Sequence, residues 1–187
     1  MDEGFVKAKM KRAIEAMGLD LTDPNLQETP ARMARMYVEL FRNVGKEYEG
    51  WKVFPNKDTD QIIMGDNIHF TSTCSHHFLP FVGKAWLLYI PGETVVGLSK
   101  LSRVVEHYAA RPQIQENLGT DILQNFVKHI KPKAFMIMIR AIHQCMSCRG
   151  VKQYAGAGMT TSAIHGEFTT DASAKAEALQ MIAMSMK

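Results

Sequence analysis

Two short clusters of metal-binding side chains, about seventy residues apart, constrain this chain more than any other feature. The first lies in Thr71-Ser-Thr-Cys-Ser-His-His-Phe-Leu-Pro-Phe81, where Cys74 and His77 are three residues apart with His76 between them. The second reads His143-Gln-Cys-Met-Ser-Cys-Arg-Gly150. Together they offer two thiolates and an imidazole to one ion, with two further histidines beside them. Zinc prefers such a set, and Cys-x-x-His brings two ligands within reach of one ion. Spacing alone leaves three readings open. Cys74, His77, Cys145 and Cys148 could close a structural site, three ligands could leave a catalytic site open to water, or no metal binds. His76 and His143 favour catalysis, because a closed structural site has no use for extra imidazoles, whereas a hydrolase uses them to move protons near neutral pH.

The rest of the composition fits a chain of this kind. The 187 residues suit one domain, or a domain with a helical appendage. The net charge of +3 is too mild to indicate a nucleic-acid binder and suits a local pocket for a small anion. Three cysteines are not spaced as a disulfide framework, so metal binding in a reducing compartment is the better reading. No apolar run reaches the ~18 residues of a membrane span. The first residues lack a basic start followed by an apolar block, so a cytoplasmic protein with no membrane partner is expected.

Along the chain, residues 5–17 read as an amphipathic helix ending at Gly18. Thr29 is expected to cap a second helix, with Pro30 in its first position, running to about Phe41. Residues 44–60 read as a turn-rich connection, and 62–73 and 78–90 as two strands with the first metal cluster at their turn. Ser99 is expected to cap a helix from Lys100 to about Ala110. A further helix spans about Gln113 to Ile130, with apolar Ile114, Leu118, Ile122, Phe126 and Ile130 every four residues. Residues 134–142 form the clearest buried strand, 151–168 the fourth strand and its approach, and 171–186 a last helix. The order α-α-β-β-α-α-β-β-α implies an α+β sheet with its helices on one face.

Other polar groups add to the site. Ser99, Lys100 and Arg103 stand on the first turn of a helix, where free N–H groups and the dipole favour anions, and Arg149 follows the second metal cluster; this fits a polyphosphate. Glu116, beside Gln115, opens the next helix and could accept two N–H bonds from a guanine edge. Taken singly, each of these is an ordinary solvated charge.

Five motifs together resemble the GTP cyclohydrolase I family: Cys74-Ser-His-His77, Gly97-Leu-Ser-Lys-Leu-Ser-Arg103, Arg111-Pro-Gln-Ile-Gln-Glu116, His143-Gln-Cys-Met-Ser-Cys-Arg-Gly-Val151 and Glu28-Thr-Pro-Ala-Arg-Met-Ala-Arg-Met-Tyr37. The likeness runs over roughly residues 10–170. It implies the tunnelling fold, an antiparallel four-stranded sheet with two helices packed on one face (ββααββ), over residues 61–187, preceded by an N-terminal helical segment at 1–60. It implies Zn2+ on Cys74, His77 and Cys145, catalytic roles for His76, His143 and Ser99, and GTP contacts from Glu116, Gln115, Lys100, Arg103, Arg149 and Arg32. It also implies a homodecamer with active sites at subunit interfaces. The reaction would open the imidazole ring of GTP hydrolytically, release formate, rearrange the ribose and reclose to 7,8-dihydroneopterin triphosphate. Two positions depart from the family's habit of an acidic residue: Ser75, and Arg140 three before His143. Ser75 removes a negative charge beside His76, so a lower pH optimum or slower turnover is expected. Cys148 is not a ligand position in this resemblance.

Overall fold

The computed structural model describes residues 1–153 and 157–186. Its elements are α1 (Glu3–Ala16), α2 (Thr29–Leu40), β1 (Val53–Pro55), β2 (Ile63–Cys74), β3 (Pro80–Ile90), β4 (Thr94–Val96), α3 (Ser99–Ala109), β5 (Pro112–Gln113), α4 (Gln115–Ile130), β6 (Ala134–His143), α5 (Gln144–Ser147), β7 (Met159–Gly166), α6 (Glu167–Thr170) and α7 (Ala172–Ser185). Residues 154–156, in the expected approach to the fourth strand, lie outside the described residues.

The main sheet has the order β5-β2-β3-β6-β7. Its four long strands run antiparallel, and β5 adds a short parallel edge, with Thr73 opposite Pro112 and Cys74 opposite Gln113. The expected four-stranded sheet therefore gains a fifth strand. Gln113, expected as helical, is extended there because its buried side chain donates to Ser72 Oγ at 3.0 Å and to the Tyr108 carbonyl.

Helices α3 and α4 cover one face. Leu101, Val104, Val105 and Tyr108 repeat at three- and four-residue steps on α3, and Leu118, Ile122, Phe126 and Ile130 at four-residue steps on α4. They bury against Phe70, Phe81, Leu87, Tyr89, Phe135, Ile137 and Ile139 of the sheet. The other face is not bare as expected. Trp86, Leu88, Ile90, Ala134 and Met136 pack there under Phe168, Ala178 and Ile182 of α6 and α7. The reason lies in β3 and β6, which are apolar on both faces over Trp86–Ile90 and Ala134–Ile137 and so need two covers. Ser185 fastens the end of α7: its Oγ accepts from Trp86 Nε1 at 2.8 Å, and its carbonyl accepts from Asn67 Nδ2 at 3.1 Å.

Two expected caps are displaced. Glu28 and Leu98 already have right-handed helical backbone, so Thr29 and Ser99 are the first helical residues, and neither helix has a side-chain N-cap bond. Asp2 and Asp171 do cap, accepting from Phe5 N at 2.9 Å and from Ser173 N at 2.8 Å. Residues 44–60 hold more than a connection, since β1 pairs antiparallel with β4. At the N-terminal end, α1 and α2 pack on each other, and Tyr37 of α2 and Phe41, which follows it, pack edge-on against Phe78 in the β2–β3 turn.

Candidate metal centre and its surroundings

The two clusters meet because β3 lies between β2 and β6. Phe81, at the start of β3, stands opposite Ser72 on one side and His143 on the other. The turn from β2 is closed by Cys74 N donating to the Leu79 carbonyl at 2.8 Å and Phe78 N donating to the Cys74 carbonyl at 2.9 Å. Phe78 takes a left-handed backbone, φ 53°. This moves the start of β3 to Pro80, two residues later than expected, and leaves Ser75, His76 and His77 exposed in the turn. Directly after His143, the short helix α5 carries Cys145 toward Cys74.

The donor atoms of Cys74, His77 and Cys145 all lie within 4.8 Å of one another. The two sulfurs are 3.9 Å apart, and Cys74 Sγ is 3.8 Å from His77 Nδ1. A tetrahedral zinc site with ordinary bond lengths would space its sulfurs by about 3.8 Å, and sulfur from nitrogen by about 3.6 Å. The two spacings that involve Cys74 thus match a zinc site to within a few tenths of an ångström, and the donor set, two thiolates and an imidazole, is one that zinc takes. Cys148 is exposed and outside this group. Burial, with the Cys74 sulfur beside it, pushes the Cys145 thiol up.

A cavity of about 220 Å³ opens beside these donors. It is lined by Cys74, Cys145, His76, His143, Gln115 and Glu116, among others. His143 is half-buried, and that burial draws its pKa below the ordinary imidazole value, while the nearby Glu116 carboxylate raises it. Its ring stacks on Phe81, 4.7 Å between centroids and 3° between planes, and its Nε2 meets Gln115 Oε1 at 2.8 Å. Glu116 is exposed on the first turn of α4, brought here by the β5 pairing that ties Gln113 to Cys74.

Not every expected residue gathers here. Gln115, expected at the substrate, is only 2% exposed, and its amide is taken up by protein groups. Arg149 is exposed just beyond α5, close enough to Cys145 to draw its thiol down. Arg32 is exposed on α2, whose other end packs on the turn through Tyr37 and Phe41. Ser99, Lys100 and Arg103 are far away. The first turn of α3 packs on Gly65 through Leu101, and Gly65 is nine residues up β2 from Cys74, roughly 25–30 Å of strand. Of the two departures, Ser75 donates its backbone N–H to the Gln113 carbonyl at 3.1 Å, and Arg140 is exposed on β6 opposite Lys84. Phe81, the platform under His143, went unremarked in the sequence; an aromatic at a strand start beside a metal cluster is the only hint of it.

A family described as GTP cyclohydrolase I matches residues 6–183. The GTP cyclohydrolase 1 of Streptococcus pneumoniae is 41% identical over 186 residues, covering 98% of this chain and 100% of that protein. That of Desulforamulus reducens is 41% identical over 183 residues, covering 96% and 97%. Among solved structures, the archaeosine synthase QueF-Like in its apo form aligns with TM-score 0.45 at 16% identity, over 59% of this chain and 97% of that one, a likeness too slight to build on.

Proposed function

From a chain that belongs to the GTP cyclohydrolase I family, we infer a zinc-dependent enzyme that converts GTP and water to 7,8-dihydroneopterin triphosphate and formate. The observation that carries this reading is the grouping of Cys74, His77 and Cys145, whose two sulfurs line one cavity together with the half-buried His143 and the exposed Glu116. Cys74, His77 and Cys145 would hold the zinc, which would supply Lewis acidity for the activation of water. Glu116 accepts two N–H bonds from the guanine edge and fixes the ring. His143 is neutral at pH 7 because its burial lowers its pKa, so it takes a proton from the attacking water and returns it to the departing ring nitrogen. His76, exposed on the turn, exchanges protons on the solvent side. Two hydrolytic steps consume two waters and cut both bonds to C8, which leaves as formate. Ribose rearrangement and reclosure then release one water, so the net consumption is one.

The cavity beside Glu116 is lined by none of Ser99, Lys100 and Arg103. The cations that suit a triphosphate, Lys100 and Arg103 with Ser99 beside them, are beyond the reach of a substrate held at Glu116 of the same chain. We read the site as shared: one chain supplies the metal, His76, His143 and Glu116, and a second copy supplies Ser99, Lys100 and Arg103. Arg149 and Arg32 complete the phosphate field. We take the assembly to be a tunnelling-fold homodecamer located in the cytoplasm. No helix among the described residues is long and apolar enough to cross a membrane.

The test is incubation of the zinc-loaded protein with GTP, following formate and the fluorescence of the oxidised pterin. Both products appear together at catalytic rates if the reading holds. Formate without pterin would confine the activity to ring opening, and neither product from zinc-loaded protein would overturn it.

A further inference from the structure

Gln115 is the first residue of α4, yet its side chain turns inward and is almost fully buried. Its Nε2 lies 3.1 Å from the Ile139 carbonyl, 3.1 Å from the Met159 carbonyl and 3.0 Å from Thr161 Oγ1. Two of those partners are carbonyl oxygens that only accept. The amide can therefore be placed one way round: NH2 toward β6 and β7, oxygen toward His143. That oxygen is 2.8 Å from His143 Nε2, and an amide oxygen has no hydrogen to give. The hydrogen of this bond belongs to the imidazole.

Two constraints thus act on one ring. The Phe81 stack fixes its plane, and Gln115 fixes its rotation within that plane. Phe81 is fully buried and held in β3 opposite His143, so the platform cannot move without breaking the sheet.

We propose that Gln115 is a positioning residue that keeps the imidazole hydrogen on His143 Nε2, so that Nδ1 is the bare nitrogen left for the reaction. This assigns Gln115 to the histidine and not to the guanine, and it rests on the reading of His143 as the proton-transfer group. The logic matches the aspartate of a serine-protease triad, where a wrong tautomer costs about 10⁴-fold in kcat. Here a freed ring samples both tautomers and several rotations, so a loss of about 100-fold is expected.

The experiment pairs steady-state kinetics with solid-state ¹⁵N spectra of histidine-labelled, zinc-loaded protein, His143→Ala assigning the signal. In the unsubstituted protein His143 should show one bare nitrogen, Nδ1, and one protonated nitrogen, Nε2, with the Nε2 hydrogen protected from exchange. Gln115→Met should lose that protection, average the two nitrogen signals and lower kcat about 100-fold, with the KM for GTP and the zinc content unchanged. If Gln115→Met does not fold, Thr161→Val removes one of the three anchors and should shift the same signals and lower kcat less. Hydrogen on Nδ1 in the unsubstituted protein would overturn the proposal. So would a Gln115→Met protein whose KM rises while kcat holds, or a Thr161→Val protein unchanged in both spectrum and rate where Gln115→Met fails to fold. A protein with the expected spectrum but no GTP turnover would instead sink the functional reading and leave the hydrogen where Gln115 puts it.

Discussion

His143, the proposed proton-transfer group, also bears on stability. Burial lowers its pKa from the ordinary 6.5, with Glu116 opposing. The folded state therefore resists protonation at this ring more than the unfolded chain does. Above pH 6.5 the ring is neutral in both states and the fold loses nothing; as pH falls below 6.5, the unfolded chain takes up the proton first and stability drops until the folded value is passed. Urea unfolding of the zinc-loaded protein between pH 7 and pH 5 should show this fall, and His143→Gln should show a shallower one. An equally steep fall in the variant would place the effect elsewhere. At this scale the sequence was informative about donors and much less so about geometry. Cys-x-x-His and a distant cysteine announce a metal by residue type, and that signal needs no fold. The bond from His143 to Gln115 depends on which way one amide turns at the first residue of a helix, and its anchors, Ile139, Met159 and Thr161, lie in strands well downstream.

At the scale of elements, the second cover on the sheet decides whether β3 and β6 are protected. Phe168 is the centre of that cover, fully buried against Trp86, Leu88 and Met136. Phe168→Ala should cost about 3–5 kcal/mol, read as a lower urea midpoint, without altering bound zinc, because the cluster hangs from the opposite ends of these strands. Loss of zinc at low denaturant would show that the metal cluster depends on this cover. The four-residue spacing on α4 made that helix plain, since a buried stripe on one side of a helix leaves a period. A strand buried on both faces leaves none, so the run Trp86–Ile90 marked a strand without saying that α7 would lie on its far side. Both β1 and β5 were unreadable for a simpler reason: three exposed residues and two residues carry no alternation. The caps expected at Thr29 and Ser99 failed because the preceding residue had already entered the helix, a backbone choice that residue type does not reveal.

At the scale of the whole molecule, the proposed site is divided: Lys100 and Arg103 lie near the Gly65 end of β2, and the cavity beside Glu116 lies near its Cys74 end. Complementation tests the sharing. Chains carrying Lys100→Ala with Arg103→Ala should be nearly inactive alone, as should chains carrying Cys145→Ala. Coexpressed in equal amounts, they should form mixed oligomers in which about a quarter of the sites combine two intact halves. Activity near that fraction supports sharing, and no recovery in demonstrably mixed oligomers means that each chain completes its own site. The account as a whole stands on the metal cluster, and the most direct measurement is a zinc titration of metal-free protein with formate release from GTP as the readout. Formate release should be absent without zinc, rise linearly and level off at one zinc per chain, in the unsubstituted protein and in Cys148→Ala alike, because Cys148 lies outside the cluster. Full release from metal-free protein, or a Cys148→Ala protein that no longer takes up zinc, would contradict it.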